Sequence, residues 1–220
     1  MLSRDEYLAE WSRWHGGAGA DGSRLVRGWL SMSYALARPV AGTPPVVATA
    51  LGLAVAVAAV VPAAAGGAWL VAAGVLVGVS AVLDSLDGVL AIAGGRASRR
   101  GYVLDSTVDR LSEAAFAAAL WVAGAPGWLA AAFGALCWLP EYLRARAGSA
   151  GVRETGVLSV WERPTRVAMA GFTLGGAGVV SAADADLVAP VVTAGTAVGS
   201  LLGAIALVQL GVALRRALGD

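Results

Sequence analysis

The stretch DSLDGVLAIAGGRASRRGYVLDSTVDR, residues 84–110, holds four aspartates in a chain that is otherwise largely apolar. Asp84 and Asp87 stand three apart, and Asp105 and Asp109 stand four apart. On helices, both spacings place a pair of carboxylates on one face. A short connection of Gly, Ser and Arg lies between the pairs, so the chain turns there and the two faces can meet. Four bare carboxylates in a partly dry pocket repel one another, and some would be protonated. A divalent cation removes that conflict. Hard oxygen ligands suit magnesium, manganese or calcium, and four negative charges balance two such ions. Gly88, Gly94, Gly95 and Gly101 flank the pairs. Small residues there let a bulky anion approach and let helices pack closely. Metal plus phosphate is the chemistry the pattern indicates, because the ion neutralises phosphate charge while the carboxylates hold the ion. A single aspartate near a helix end often just faces water or pairs with an arginine such as Arg99, Arg100 or Arg110. Two pairs at helical spacing, facing each other, fit that account poorly.

The elements that carry the aspartates follow from composition. Of 220 residues, 58% are hydrophobic and 14% charged, where a soluble domain has about a quarter charged. The pattern predicts an all-α, polytopic membrane protein with six transmembrane helices. The spans are expected at about 45–63, 68–92, 103–123, 126–143, 165–183 and 187–212. Before them, residues 2–14 and 24–38 read as amphipathic helices lying in the membrane interface. Two parts are therefore expected: an interfacial segment, 1–40, and a six-helix transmembrane catalytic domain, 41–220. All 16 basic residues are arginine. They precede the first span (Arg4, Arg13, Arg24, Arg27, Arg38), lie around the aspartates (Arg96, Arg99, Arg100, Arg110), surround the loop between spans four and five (Arg144, Arg146, Arg153, Arg163, Arg166) or follow span six (Arg215, Arg216). The alternate loops carry none, so both termini and the aspartates are expected on the cytoplasmic side. Trp69, Trp121 and Trp128 flank the opposite loops, as interfacial aromatics do. Net charge is +1 and gives no argument for a nucleic-acid partner. Cys137 reads as a buried spectator thiol, and His15 as an ordinary interfacial residue.

The aspartate stretch resembles the signature of the CDP-alcohol phosphatidyltransferases, D-x-x-D-G-x-x-A-R, eight residues, then G-x-x-x-D-x-x-x-D. Asp84, Asp87, Gly88, Ala91, Gly101, Asp105 and Asp109 match in register, and Ile92 stands at the arginine position. The resemblance implies a membrane enzyme with six transmembrane helices and an N-terminal amphipathic helix. It would transfer a substituted phosphate from a CDP-linked donor to an alcohol and release CMP. It further implies that Asp84, Asp87, Asp105 and Asp109 hold two Mg2+ or Mn2+ ions, and that Asp109 is the catalytic base. A weaker likeness covers GTPPVVATALG, residues 42–52, which is similar to the family stretch G-x-T-P-N-x-x-T-x-x-G and has Val46 at the asparagine position. By resemblance, the nucleotide is bound by Thr49, Asp84, Gly88, Ala91, Gly101 and Asp105. On the residues alone, Pro44-Pro45 is also an ordinary helix start.

The stretch PEYLRARAGSAGVRETGVLSVWERPTR gathers Arg144, Arg146, Arg153, Arg163 and Arg166. Guanidinium groups bind phosphate bidentately, so such a cluster suits a phosphate on a soluble acceptor; the same arginines also set topology and touch lipid headgroups. The wording resembles the bacterial phosphatidylinositol-phosphate synthases, Y-x-[KR]-A-R-A followed by E-R-P-x-R. That resemblance implies acceptor-phosphate contacts from Arg144, Arg146, Arg166 and Arg215, CDP-diacylglycerol as donor, and a polyol phosphate such as inositol phosphate or glycerol phosphate as acceptor. Family likeness also implies a homodimer among membrane lipids, in a bacterial inner membrane with a cytoplasmic active site. Glu141 is acidic where a small polar residue is expected, and Glu113, four residues after Asp109, reads either as an extension of the carboxylate face or, more readily, as a support behind it or an arginine partner. Two other readings of the chain stand: a divalent-cation or proton carrier using intramembrane aspartates, and a family member with altered chemistry.

Overall fold

The structure, a computed structural model, describes residues 1–14, 24–152 and 159–219. His15 and Arg153 lie outside them. The described residues are all-helical: α1 (Arg4–Trp14), α2 (Arg24–Ala37), α3 (Pro45–Ala58), α4 (Val60–Ala65), α5 (Trp69–Ile92), α6 (Arg99–Val122), α7 (Gly127–Ser149), α8 (Arg163–Val180) and α9 (Val188–Leu218), with 3-10 turns at Arg38–Val40 and Ala185–Leu187. Each expected span is met by helix. Among the described residues, three helical stretches are long and apolar enough to cross a membrane: Pro45–Ala65, Trp69–Ile92 and Ala185–Leu218. The remaining helices are diluted by charge, with Asp105, Asp109, Arg110 and Glu113 on α6 and Glu141, Arg144 and Arg146 on α7.

The helix ends are written locally. Ser3 and Glu6 form a reciprocal cap at α1: the Ser3 N–H donates to Glu6 Oε2 at 2.8 Å, and the Glu6 N–H donates to Ser3 Oγ at 3.4 Å. Pro45 occupies the first turn of α3, where its missing N–H has no helical partner to lose. At the end of α5, the Arg96 N–H bonds the Ala91 carbonyl at 2.8 Å and the Gly95 N–H bonds the Ile92 carbonyl at 3.1 Å. Gly95 sits at φ +65°, so this is a Schellman stop, which a Cβ would strain. Ser98 caps α6 by accepting the Gly101 N–H at 3.0 Å. Stop and start together fix the helical register of Asp84, Asp87, Asp105 and Asp109.

The chain forms two compact units, Met1–Ala54 with Val79–Asp109, and Val55–Gly78 with Arg110–Asp220. In the first, Tyr7, Leu8, Leu30, Ala37, Ala48, Val89, Leu90 and Ala93 make one apolar cluster. Tyr7 stacks on Tyr34 with ring centroids 5.7 Å apart. The Tyr34 hydroxyl donates to the Leu2 carbonyl at 2.7 Å, and the Leu2 N–H donates to the Ala93 carbonyl at 2.8 Å. Helix α2 buries Leu30, Ser33 and Ala37 but leaves Val26, Trp29, Met32 and Leu36 exposed, so a second apolar face remains outside the unit.

In the second unit the core joins Leu70, Val77, Phe116, Leu120, Phe133, Trp161 and Leu174. Phe133 meets Trp161 edge-on, with centroids 5.3 Å apart at 86°. Small residues bring the helices of this unit close, which is how apolar helices gain van der Waals contact when lipid competes equally for their side chains. Gly74 of α5 is one such point against backbone: a Cβ there would lie 2.6 Å from the Gly171 carbonyl oxygen and 2.8 Å from the Gly175 nitrogen. Backbone cannot rotate away, so Gly74→Ala should destabilise the unit by about 1–3 kcal/mol. Thermal unfolding in detergent micelles checks this against Gly78→Ala, whose added Cβ meets nothing within 4 Å. Equal melting temperatures for the two variants would contradict the close-packing account.

Candidate active site

The first unit brings three of the four aspartates together. Asp84, Asp105 and Asp109 each offer one carboxylate oxygen, and the three oxygens lie within 4.8 Å of one another. All three side chains are half-buried. Three anionic oxygens held at such spacing are mutually repulsive and suit one hard divalent cation, so the donor set fits magnesium or manganese. Asp87 lies outside this triad of oxygens. It is on the same helix as Asp84 and is 5% exposed.

The expected nucleotide-contacting residues surround the triad in sequence and differ in setting. Gly52 of α3 faces α5: a Cβ there would meet the Leu83 Cβ and Ser80 carbonyl oxygen at 3.5 Å and the Asp84 nitrogen at 3.7 Å. Thr49, one turn before it, is buried and donates its hydroxyl to the Pro45 carbonyl at 3.1 Å. Gly88 and Ala91 are half-buried, and a Cβ at Gly88 would meet nothing within 4 Å, so that face of α5 has open space before it. Gly101 is exposed. Arg96 escaped the sequence reading. From just beyond the α5 stop it reaches back and donates to the Ala41 carbonyl at 2.8 Å and the Gly42 carbonyl at 3.4 Å. It thereby fastens the turn that leads into α3, four residues beyond Ile92. The Trp29 indole N–H donates to Ser85 Oγ at 2.9 Å, tying α2 to the residue beside Asp84.

The second unit holds the arginines expected at the acceptor phosphate, and two of them, Arg144 and Arg166, are paired with glutamates. Arg166 is 1% exposed. It donates to Glu113 Oε1 at 2.9 Å, to Glu141 Oε1 at 3.0 Å and, through Nε, to the Trp161 carbonyl at 2.8 Å. Arg144 donates to Glu141 Oε1 at 2.8 Å and to Glu162 Oε1 at 2.7 Å. Arg110 lies 3.1 Å from Glu113 Oε2 and donates to the Cys137 carbonyl at 3.4 Å. Glu113 is thus an arginine partner, as its sequence position suggests. Arg146 and Arg215 are exposed, and Arg215 sits in the last turn of α9, where the helix dipole favours a cation. Cys137 is buried, as expected. Burial alone would raise the Glu162 carboxyl; hydrogen bonds from Arg144 and from the Ser159 N–H and hydroxyl outweigh it and hold the group below its ordinary value. Stability from this contact is therefore present above the ordinary carboxylate range and is lost as pH falls through the depressed value.

A family model described as CDP-alcohol phosphatidyltransferase matches residues 43–148, a segment that contains all four aspartates of the site, Thr49, Arg144 and Arg146. Over that segment the chain resembles the CDP-alcohol phosphatidyltransferase family. It is 38% identical over 110 residues to the archaetidylinositol phosphate synthase of Aeropyrum pernix, a match covering 47% of this chain and 57% of that protein. The chain spans about half the length of the curated relatives it matches. Among solved structures, the phosphatidylinositol phosphate synthase of Mycobacterium tuberculosis in complex with manganese and citrate superposes with a TM-score of 0.68 at 27% identity. That match covers 83% of this chain and 88% of that one. The same mycobacterial protein with CDP-DAG bound gives a TM-score of 0.66 at 29% identity, over 83% of this chain and 92% of that one.

Two outcomes test the site. Asp105→Asn removes one of three anionic ligands and should weaken manganese binding at least about tenfold in an electron paramagnetic resonance titration; unchanged affinity would mean the triad does not share an ion. Arg166→Met leaves Glu113 and Glu141 short of a partner in a buried setting and should lower unfolding stability by about 3 kcal/mol or more, read from chemical unfolding in micelles.

Proposed function

We propose that this chain transfers a phosphatidyl group, or a similar substituted phosphate, from CDP-diacylglycerol or a related CDP-linked donor to the hydroxyl of a polyol phosphate, releasing CMP. The observation that carries this reading is the convergence of Asp84, Asp105 and Asp109 within the segment matched by the family model. Inositol phosphate is the favoured acceptor, from the names of the relatives; glycerol phosphate fits the same chemistry.

In this reading Asp84, Asp87, Asp105 and Asp109 hold two Mg2+ or Mn2+ ions. Bound there, the ions neutralise the donor's pyrophosphate and the charge that grows on the departing CMP. Asp109 accepts the proton of the acceptor hydroxyl as its oxygen bonds to the lipid-bearing phosphorus. The bond from that phosphorus to the CMP oxygen breaks, and CMP leaves with the electron pair. Thr49, Gly88, Ala91 and Gly101 line the nucleotide, the small residues admitting it by leaving space. Arg144, Arg146, Arg166 and Arg215 bind the acceptor's phosphate as charged hydrogen-bond donors.

The membrane setting belongs to the same proposal: six spans from residue 41 onward, preceded by an interfacial segment, with both termini and the aspartates on the cytoplasmic face of a bacterial inner membrane, and a homodimer as the assembly. Three things support it. The arginines alternate with arginine-free loops. Trp69, Trp121 and Trp128 are exposed beside those loops. The outward face of α2 presents Val26, Trp29, Met32 and Leu36, as a helix lying in the interface would.

Purified protein given CDP-diacylglycerol, magnesium and inositol phosphate or glycerol phosphate should release CMP. Asp109→Asn should lower that rate by about 10²–10⁴-fold, the usual contribution of a positioned base. A wild type that releases no CMP with any of a broad panel of alcohols, or a variant as fast as wild type, would contradict the assignment.

A further inference from the structure

The arginines assigned to the acceptor phosphate already hold an anion, and it is part of the chain. A single oxygen, Glu141 Oε1, accepts from Arg144 Nη1 at 2.8 Å and from Arg166 Nη2 at 3.0 Å, with Arg110 Nη1 at 4.0 Å. Guanidinium groups converging on one oxygen are how a phosphate oxygen is held. Within this ion-paired set Arg110, Arg144 and Arg166 face Glu113, Glu141 and Glu162, three charges of each sign.

The three carboxylates are not equally fixed. Glu113 is 1% exposed and lies between Arg110 and Arg166. Glu162 accepts from the Ser159 N–H at 2.9 Å and from its hydroxyl at 2.8 Å, besides Arg144. Glu141 has a third of its side chain exposed and, among the described residues, is held only by arginines. It is the carboxylate that can turn to water without leaving a backbone or hydroxyl donor unmade.

We propose that Glu141 is a specificity-determining residue for the acceptor: its carboxylate fills the anion position between Arg144 and Arg166, and an acceptor phosphate binds by displacing it. This rests on the reading that these arginines take the acceptor's phosphate, and it narrows the acceptor class. A phosphomonoester brings more charge and more acceptor oxygens than the carboxylate it replaces, so it can win the exchange. An uncharged polyol offers the arginines nothing stronger than Glu141 and is turned away. The exchange also keeps the buried Arg166 from losing one of its two carboxylate partners between turnovers.

The test is Glu141→Gln in the full-length protein, titrated with inorganic phosphate by calorimetry and assayed for CMP release. Removing the competing charge should tighten phosphate binding about tenfold, which is about 1.4 kcal/mol. It should lower the KM for the phosphorylated acceptor by a similar factor and leave the KM for CDP-diacylglycerol unchanged. Glu141→Asp keeps the charge on a side chain one methylene shorter and should fall between wild type and Glu141→Gln. Phosphate affinity that is unchanged or weaker in a folded Glu141→Gln protein overturns the proposal; if that variant does not fold, an Asp variant no tighter than wild type does so. Absence of CMP release by wild type with every phosphorylated acceptor counts against the transferase reading instead, and the phosphate titration still decides the role of Glu141.

Discussion

Mutual repulsion among carboxylates is the constraint around which the first unit is arranged. Three anionic oxygens within 4.8 Å cannot be kept by helix propensity or apolar packing. In a setting of lowered dielectric their repulsion grows. The local sequence nevertheless forces the approach. A Schellman stop after Ala91–Ile92 and a serine cap at Ser98 turn the chain sharply between α5 and α6. Arg96 then fastens the resulting corner to the carbonyls that precede α3. Such effort to hold like charges close makes sense only if a cation completes the arrangement, since the same backbone with apolar residues at 84, 105 and 109 would be the more stable protein.

The second unit solves the opposite problem. Its polar core is a chain of alternating signs, Arg110–Glu113–Arg166–Glu141–Arg144–Glu162. Charges taken out of water are retained at acceptable cost when each is paired and its remaining donors and acceptors are satisfied. Arg166 meets that condition through two carboxylates and the Trp161 carbonyl. The rigid surroundings of Trp161, packed edge-on against Phe133, hold that carbonyl in place. Arginine suits the task better than lysine because its planar fork serves several partners at once, and the chain contains no lysine at all.

Much of the helical layout was legible in the sequence because its signals are local. The apolar runs match the helices from α5 onward and cover α3 and α4 as one, and the i,i+3 and i,i+4 spacings of the aspartates announced a shared face before any fold was known. The break between α3 and α4 was not foreseen, because residues 45–63 read as one apolar run. Arg96 was invisible for a different reason. Its partners are main-chain carbonyls some 55 positions away, and a carbonyl leaves no trace in the residue alphabet. The Glu–Arg network lay between these cases. Glu113 could be read as an arginine partner from charge and position, while Glu141 looked only misplaced, since its partners Arg144 and Arg166 are 3 and 25 positions distant.

That misplaced glutamate shows where sequence reasoning reverses sign. Read along the chain, an acidic residue three positions before Arg144 argues against an anion site. In three dimensions the same residue is what the proposed exchange rests on, because a carboxylate settled among guanidiniums occupies the place that an anionic ligand would take. The distinction rests on which carboxylate is free to leave. Glu113 is enclosed and Glu162 is pinned by Ser159, so of these three carboxylates Glu141 is the one on which the proposed exchange rests. A site of this kind is balanced when empty and selective when filled: the arginines need no solvent to screen them, and an incoming group must be a better anion than a carboxylate.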